Sequence, residues 1–350
     1  MTRAKVVFLY TEIAGYFLSC VKELTKSADV LVVRWPVNSE APFDLTGYTG
    51  LEIIDRSKIG EPELASKVKV FNPDILICSG WIDKGYLKIA KSFHRKIPVV
   101  VSLDNHWKGS LKQRVASLIS PFYLKRIFTH AWVPGEMQAE FARHLGFENN
   151  LLKNFYCADT ELFEKIYQNT FSKKETKFPH RFLYVARYVE HKGIFEMWNA
   201  FLKFKKETQT DWELWCIGTG KEWDNKITGD GIKHIGFVQP KELEKYIAES
   251  GVYILPSKFE PWGVSVQEFA ISGFPLLLSN EVGAADRFMD EKNGLKFRAG
   301  DVSEIIRAMK TMVKKSDHEL IEMGKISHDK GKSLNQKIWS QTILSVLNKK

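Results

Sequence analysis

The chain has 350 residues, of which 44% are apolar and 27% are charged, and its formal net charge is +9 at pH 7. This composition is that of a globular protein, and the length predicts two domains rather than one. No apolar run reaches the roughly 18 residues that a membrane-spanning helix needs, and the N-terminal run from Val6 to Tyr10 is too short for a signal peptide.

Short apolar runs alternate with segments of helical period along the whole chain. The apolar runs of the first half are KVVFLYT, DVLVVRW, DILICSG, PVVVSLD and HAWVPG. Those of the second half are RFLYVAR, ELWCIG, KHIGFV, VYILPS and PLLLSN. The runs are apolar throughout rather than alternating, which is typical of parallel strands covered on both faces. We therefore predict two Rossmann-like α/β domains, each a doubly wound parallel sheet, with a ligand in the cleft where strand ends face each other.

The boundary between the domains falls in ENNLLKNFYCADTELFEK, where neither period is clear. We assign residues 1–155 to the first domain and 156–333 to the second. Residues 334–350 carry apolar side chains near helical spacing and predict a final helix. Periodicity alone does not decide whether this helix caps the second domain or crosses back to the first.

Several common nucleotide and metal motifs are absent from the sequence. The loop after the first strand contains Gly15 alone rather than GxGxxG, and no GxxxxGK[ST] occurs, so a dehydrogenase or a P-loop NTPase is poorly supported. There is no DxD, no HExxH and no clustered His/Cys/Asp set, so we expect neither a metal nor another cofactor. The four cysteines form no CxxC pair, which favours free thiols in a reducing cytoplasm.

The loop after RFLYVA contains two cations, Arg187 and Lys192, followed by Gly193. A helix that begins there offers free backbone amides to an anion, and the two side chains would add charge-assisted hydrogen bonds. This combination suits a diphosphate. A pair of ordinary surface cations is the simpler alternative.

Two carboxylates accompany the strand VYILPS. Glu260 lies in the loop after the strand, and Glu268 follows eight positions later in the next helix. The first amides of that helix, those of Gly263, Val264 and Ser265, are predicted to point toward the two cations. Because a carboxylate can accept two hydroxyl hydrogens, one can hold a ribose and the other the hydroxyls of a sugar. The implied ligand is a nucleotide diphosphate sugar; a capping Glu260 and an exposed Glu268 are the structural alternative.

The segment from Lys84 to Arg126 has ten lysines and arginines and one acid, Asp104. This charge predicts an anionic partner such as a phospholipid headgroup, a lipid diphosphate or an acidic glycan, or else simply a solvated face. No nucleic-acid-binding motif accompanies it. The apolar residues of near-helical spacing in this segment are Trp107, Leu111, Val115, Leu118 and Ile119, with Lys108, Lys112 and Arg114 among them. An interfacial helix and a core-facing helix with a solvated edge have the same pattern.

From about residue 150 to 330 the chain resembles the retaining GT-B glycosyltransferases of family four. The matching segments are FYCADTELF, FLYVARYVEHKGI, WCIGTG, KHIGFV, PSKFEPWGVSVQEFAISGFPLLLSN and NGLKF. The resemblance implies that Arg187 and Lys192 bind the donor diphosphate, that Glu268 binds the ribose, and that Glu260 holds the donor sugar. It also implies metal-independent transfer with retention and a final helix that packs on the first domain.

Three positions depart from the family pattern or carry it incompletely. The usual Gly-Arg of the first motif is Ala186-Arg187, and the first-domain loop has Gly15 where Gly-Gly is common. A histidine is expected after PVVVSLD, and the candidate is His106. As catalytic residues we name Glu260, His106, Arg187 and Lys192.

The sequence therefore predicts a cytoplasmic transferase that moves a sugar to a glycan or lipid-linked acceptor of the cell envelope, with peripheral contact at an anionic membrane. A double displacement has no identifiable nucleophile, which favours a front-face reaction. Two alternatives stay open. One is a nucleotide-sugar epimerase or hydrolase of the same fold, and the other is a non-catalytic protein that binds a nucleotide sugar or a membrane.

Overall fold

The computed structural model describes residues 3–36 and 51–348, which form two compact units. The first unit contains residues 3–36, 51–157 and 334–348, and the second contains residues 158–333. Each unit is an α/β layer structure around a parallel sheet, as predicted.

The first unit is built on a seven-stranded parallel sheet. Its strands are β1 (Ala4–Tyr10), β2 (Ala28–Arg34), β3 (Glu52–Asp55), β4 (Ile75–Ser79), β5 (Val99–Ser102), β6 (His130–Trp132) and β7 (Leu151–Leu152). The helices between them are α1 (Gly15–Leu24), α2 (Glu61–Phe71), α3 (Lys84–Phe93), α4 (Leu111–Ile119) and α5 (Glu136–His144). The strand order is β3-β2-β1-β4-β5-β6-β7. The central strands β4 and β5 are buried almost throughout, because helices cover both faces of the sheet.

The second unit is built on a six-stranded parallel sheet. Its strands are β8 (Arg181–Val185), β9 (Glu213–Ile217), β10 (Ile232–Gly236), β11 (Val252–Leu255), β12 (Leu276–Ser279) and β13 (Gly294–Phe297). Its helices are α6 (Thr160–Thr176), α7 (Ile194–Thr208), α8 (Glu244–Ala248), α9 (Val264–Ile271), α10 (Ala285–Phe288), α11 (Val302–Val313) and α12 (Asp317–Lys332). The strand order is β10-β9-β8-β11-β12-β13.

The last helix, α13 (Gln336–Leu344), belongs to the first unit. Its Trp339 ring stacks on Phe8 at 5.9 Å and lies 4.8 Å from Trp132, and its indole nitrogen donates to the Phe155 carbonyl at 2.7 Å. The chain thus returns to the first unit, as predicted. The helix is shorter than the predicted 334–350 because it ends at Leu344 and continues as a 3-10 turn to Leu347. Residues 349–350 of the prediction lie outside the described residues.

Each sheet has one place where the strand order reverses direction. In the first unit it lies between β1 and β4, and in the second it lies between β8 and β11. Ligands of open parallel sheets bind outside the carboxyl ends of the strands at such a reversal. In the second unit these ends lead into the Arg187 loop and the Glu260 loop, so the fold brings the two predicted motifs side by side.

Candidate active site

The loop after β8 carries Arg187 and Lys192 and is fixed by its backbone. The Tyr184 hydroxyl donates to the Arg187 carbonyl at 3.0 Å, and the Tyr188 amide donates to the Thr219 carbonyl at 2.8 Å. Gly218 accompanies Thr219 with φ of 139°, and a Cβ there would lie 2.0 Å from the Ala186 carbonyl oxygen. The loop after β9 therefore packs against the backbone beside Arg187, and only glycine permits that approach.

The loop after β11 is joined directly to the loop after β8. The amides of Lys258 and Phe259 both donate to the His191 carbonyl, at 2.8 and 3.2 Å. Gly193 adopts φ of 68°, and a Cβ there would lie 2.1 Å from the Pro256 carbonyl oxygen. Because it has no side chain, Gly193 permits this close approach of the Pro256 backbone.

Lys192 and Glu260 form an ion pair at the centre of the site, through Nζ and Oε2. Their side chains are 13% and 11% exposed, so the pair is largely withdrawn from water. The Ser257 hydroxyl donates to the same carboxylate oxygen at 3.2 Å, and the Gly283 amide donates to the Glu260 carbonyl at 3.0 Å. Glu260 is thus held by its backbone as well as by its side chain.

Helix α9 begins beside this pair. Gly263 is its N-cap, in the left-handed region, and Val264 is its first residue. The first amides of a helix have no partner within the helix, so those of Val264 and Ser265 are available to an anion. The Tyr253 hydroxyl donates to the Ser265 hydroxyl at 2.8 Å and so fixes the first turn.

Glu268 lies one turn farther along α9 and is half-buried. Burial and, to a lesser extent, the nearby Asp159 carboxylate together raise the pKa of its carboxyl to about 8. Both Glu260 and Glu268 act electrostatically on Tyr253, whose pKa is raised mainly by its burial. The two carboxylates that the sequence paired therefore both lie near one buried tyrosine.

The neighbouring Gln267 anchors the helix that carries Glu268. Its side-chain oxygen accepts from the Ala158 amide at 2.7 Å, and its nitrogen donates to the Gly331 carbonyl at 3.0 Å. Gln267 is fully buried. The contact with Ala158 also fixes the start of α6 and thereby Asp159.

Gly15 and His106 belong to the first unit. Gly15 is the first residue of α1, directly after the β1 loop. His106 is 6% exposed and lies in the loop between β5 and α4, where its carbonyl accepts from the Gln113 side-chain amide at 2.7 Å. In the same loop, Asp104 accepts from the Tyr156 hydroxyl at 3.1 Å. The carboxyl end of the first sheet thus gathers a histidine, an aspartate and a tyrosine.

Sequence reasoning missed three contributors to the second-unit site. His191 supplies the carbonyl that joins the two loops, and burial, then Lys192 and Arg187, lower the pKa of its ring. Gly218 is not among the predicted site residues, and Asp159 lies in the boundary segment, where the sequence has no clear period. Within the ranges that the structure describes, no group of three or more His, Cys, Asp or Glu side chains could hold a metal ion.

Residues 167–326 match the family described as glycosyl transferases group 1. The matched range covers most of the second unit and less than half of the 350-residue chain. All four charged residues singled out in the second half, Arg187, Lys192, Glu260 and Glu268, lie within the matched range.

Two curated relatives of the chain are named transferases. A 2-deoxystreptamine N-acetyl-D-glucosaminyltransferase of Niallia circulans is 28% identical over 133 residues, which are 35% of this chain and 33% of the relative. The sulfoquinovosyl transferase of Arabidopsis thaliana is 24% identical over 273 residues, which are 72% of this chain and 52% of the relative. The matched part therefore spans about a third of the first relative's length and about half of the second's.

Solved structures show that the whole chain has the GT-B fold. Anabaena HepE in complex with UDP and glucose superposes with a TM-score of 0.74 at 13% identity, covering 100% of both chains. Sucrose-phosphate synthase from Thermosynechococcus elongatus has a TM-score of 0.68 at 16% identity, covering 99% of this chain and 98% of that one.

The raised pKa of Glu268 predicts that a nucleotide held by this carboxylate binds to the second unit with an affinity that depends on pH. If the ionised carboxylate accepts the ribose hydroxyls, binding below pH 8 must release a proton. We expect the dissociation constant of a nucleoside diphosphate to fall by up to about tenfold per pH unit between pH 6.5 and 8, and to level off above. Isothermal titration calorimetry in buffers of different ionisation enthalpy measures both the dissociation constant and the number of protons released on binding.

Glu268→Gln is the matched control because it keeps the shape and cannot ionise. This variant should bind the nucleoside diphosphate more weakly and without the pH dependence that Glu268 causes. Any pH dependence that remains in the variant then reports the titration of the phosphate itself. The folded state favours the protonated acid, so the free energy of unfolding of the wild type should decrease as pH rises from 4.5 toward 8. Glu268→Gln should lack that decrease; an equal pH slope in both proteins contradicts the assignment.

Proposed function

We propose that the protein is a glycosyltransferase that moves a sugar from a nucleoside diphosphate sugar to a hydroxyl acceptor, with retention and without a metal ion. The observation that carries the proposal is the buried Lys192–Glu260 pair at the strand-order reversal of the second sheet, with Arg187 on the same loop and Glu268 in the next helix. The family of the second unit and the UDP bound to HepE, which has the same fold, support a nucleotide-sugar donor.

Different residues of the second unit bind different parts of the donor in this proposal. Arg187, Lys192 and the first amides of α9 face the diphosphate, because cations and a helix start both favour an anion. Glu268 accepts the ribose hydroxyls. Glu260 accepts hydroxyls of the donor sugar, and in the donor-free protein it neutralises Lys192. Donor binding thus replaces one ion pair by two sets of ligand contacts and leaves neither charge without a partner.

The reaction that we propose proceeds on one face of the sugar. The bond between the anomeric carbon and the diphosphate oxygen breaks, and its electrons remain on the diphosphate. The acceptor oxygen forms the new bond to the anomeric carbon from the same face, and its proton passes to the departing diphosphate. Arg187 and Lys192 stabilise the negative charge that develops on the leaving group, which is where fixed donors accelerate a reaction most.

The first unit is proposed to bind the acceptor. His106, Asp104 and Tyr156 follow the carboxyl ends of its strands and carry groups that can hydrogen-bond to a hydroxylated molecule. We propose a glycan or lipid-linked acceptor of a cell-envelope polysaccharide, handled at the inner face of a membrane by a peripheral protein. Gly15 is proposed to permit close approach of the donor diphosphate from the start of α1.

A donor screen tests the proposal. The purified protein is incubated with nucleoside diphosphate sugars of different base and sugar, with and without extracted lipid-linked glycans, and released diphosphate is measured. We expect slow release with one donor alone, strong stimulation by acceptor, and a sugar–acceptor product with the anomeric configuration of the donor. Release of an epimerised sugar without acceptor identifies an epimerase, and no release with any donor favours a binding protein.

We also expect activity to persist in excess chelator. The two cations and the start of α9 neutralise the leaving diphosphate, so the site needs no metal charge. Initial rates in the presence of EDTA should stay within about twofold of the untreated rate, a change of less than about 0.5 kcal/mol in barrier. A loss that added magnesium or manganese reverses would overturn this part of the proposal.

A further inference from the structure

Helix α4 and the turn after it form an exposed apolar surface in the first unit. We define the α4 surface as Leu111, Val115, Leu118, Ile119, Phe122 and Tyr123, together with the cations Lys112, Arg114 and Arg126. Leu111 is 77% exposed, Leu118 75% and Phe122 70%. Among the described residues, the other exposed large apolar side chains are Trp35, Val70 and Ile82, so exposure of this kind is concentrated in one place.

The apolar stripe of α4 does not face the core. None of its residues is buried, whereas α3 of the same unit buries Tyr86, Leu87 and Ile89 against the sheet. A helix with apolar residues at helical spacing normally buries that stripe. Of the predicted apolar residues, Trp107 packs against the core, whereas those on α4 itself are exposed and do not fit the core-facing interpretation. A contiguous apolar patch of this kind marks an interaction site.

The charges around the patch indicate the kind of partner. No aspartate or glutamate occurs from Asn105 to Gly135, and Lys112, Arg114 and Arg126 are exposed beside the apolar side chains. Arg114 also donates to the Gly109 carbonyl at 2.9 Å, so its stem is held near the surface. An anionic lipid surface complements both features, because acyl chains accept the apolar side chains and headgroups accept the cations.

We propose that the α4 surface docks the protein on an anionic membrane, with α4 lying in the interfacial plane. No helix in the described part of the chain is long and apolar enough to cross a membrane. Contact through this surface is consequently peripheral. The phenylalanine and tyrosine of the turn suit the boundary between headgroups and acyl chains.

The α4 surface is tied to the loop that carries His106. The Gln113 side chain of α4 donates to the His106 carbonyl at 2.7 Å and accepts from the Lys108 amide at 2.8 Å. Docking of α4 therefore brings this loop to the level of the lipid headgroups. Docking would then place the His106 loop near an acceptor whose sugar is carried on a lipid. This part of the inference rests on the proposed function.

Vesicle sedimentation tests the docking surface without donor or acceptor. The full chain is mixed with phosphatidylcholine vesicles that contain 0, 20 or 40% phosphatidylglycerol, at low and at high salt. We expect binding that increases with the anionic fraction and weakens with salt. Lys112→Gln/Arg126→Gln should bind about 25-fold more weakly, or about fivefold per charge. Leu111→Gln/Leu118→Gln/Phe122→Gln should lose at least about tenfold at unchanged charge.

The control is Lys67→Gln/Lys69→Gln/Val70→Gln on α2, where two cations and one apolar side chain are exposed in the same unit. It should bind vesicles like the wild type. Absence of vesicle binding at low salt, equal binding by all variants, or association of the chain with itself through this surface in sedimentation velocity overturns the proposal. Nucleoside diphosphate binding of the same variants reports on the donor site separately, so failure of docking and failure of the proposed function are distinguishable.

Discussion

Replacing Arg187 by alanine is expected to lower kcat/KM for the donor by roughly 30- to 1000-fold, which corresponds to about 2–4 kcal/mol of lost transition-state stabilisation. The side chain is half-buried beside Lys192 on the loop after β8, at the reversal of strand order. In the proposed reaction this side chain meets the negative charge that develops on the leaving diphosphate. Initial rates of diphosphate release over a range of donor concentrations measure the effect.

Arg307→Ala provides the control for this substitution. Arg307 is on α11 of the same unit, its side chain is 71% exposed, and it pairs with Glu304 at 3.3 Å. An exposed pair of this kind contributes little to stability, so the variant should keep both its fold and its rate. A wild-type rate in a folded Arg187→Ala protein would remove Arg187 from the diphosphate site.

Lys192→Met should abolish donor use and also weaken the fold, because it leaves the buried Glu260 carboxylate with Ser257 as its remaining side-chain partner among those described. We expect a loss of about 3 kcal/mol in the free energy of unfolding. Adding Glu260→Gln removes the buried charge and should restore most of that stability. Activity should remain more than about 100-fold below wild type in the double variant, since both ligand contacts are gone.

This double variant separates a structural role of the pair from a catalytic one. If the pair only stabilises the loops, the activity should return with the stability. The comparison pair is Lys258 and Glu196, joined at 3.0 Å between the loop after β11 and the first turn of α7, with side chains 31% and 23% exposed. Lys258→Met/Glu196→Gln is expected to change stability by less than about 1 kcal/mol and the rate by a few-fold at most.

The strands of both sheets follow from the sequence more readily than the helices that cover them. Runs such as VVFLY in β1 and VYIL in β11 are buried throughout. A short continuous apolar run in a globular chain is typical of a buried strand, so these strands could be predicted. The short strands β3, β7 and β13 were not predicted, since two to four residues carry too little pattern.

Helices α6 and α12 were not predicted, because polar residues predominate in their sequences and obscure the helical spacing of the apolar ones. In α12, Gly324 and Gly331 break the apolar pattern. A Cβ at Gly324 would lie 2.4 Å from the Gly273 carbonyl oxygen, and one at Gly331 would lie 2.7 Å from the Ile271 amide nitrogen. These glycines allow the helix backbone to contact α9 and the residues after it closely. Helix propensity alone counts glycine as unfavourable in a helix and so gives no sign of this role.

The residue types of the candidate site could be predicted, but their pairing could not. Spacing placed Arg187, Lys192, Glu260 and Glu268 on loops and a helix after buried strands. That Lys192 meets Glu260 depends on β8 and β11 being neighbours, although a long stretch of chain separates them. The influence of Asp159 on Glu268 depends in the same way on the contact between Ala158 and Gln267.

The central claim is that the second unit binds a nucleoside diphosphate through Arg187 and Lys192. Titration calorimetry of the wild type with each nucleoside diphosphate and its monophosphate, in excess chelator, tests it most directly. We predict that one diphosphate binds at least about tenfold more tightly than its monophosphate, a difference of about 1.4 kcal/mol, and that Arg187→Ala abolishes this preference. Equal affinity for the two nucleotides, or a preference that survives in Arg187→Ala, would contradict the account.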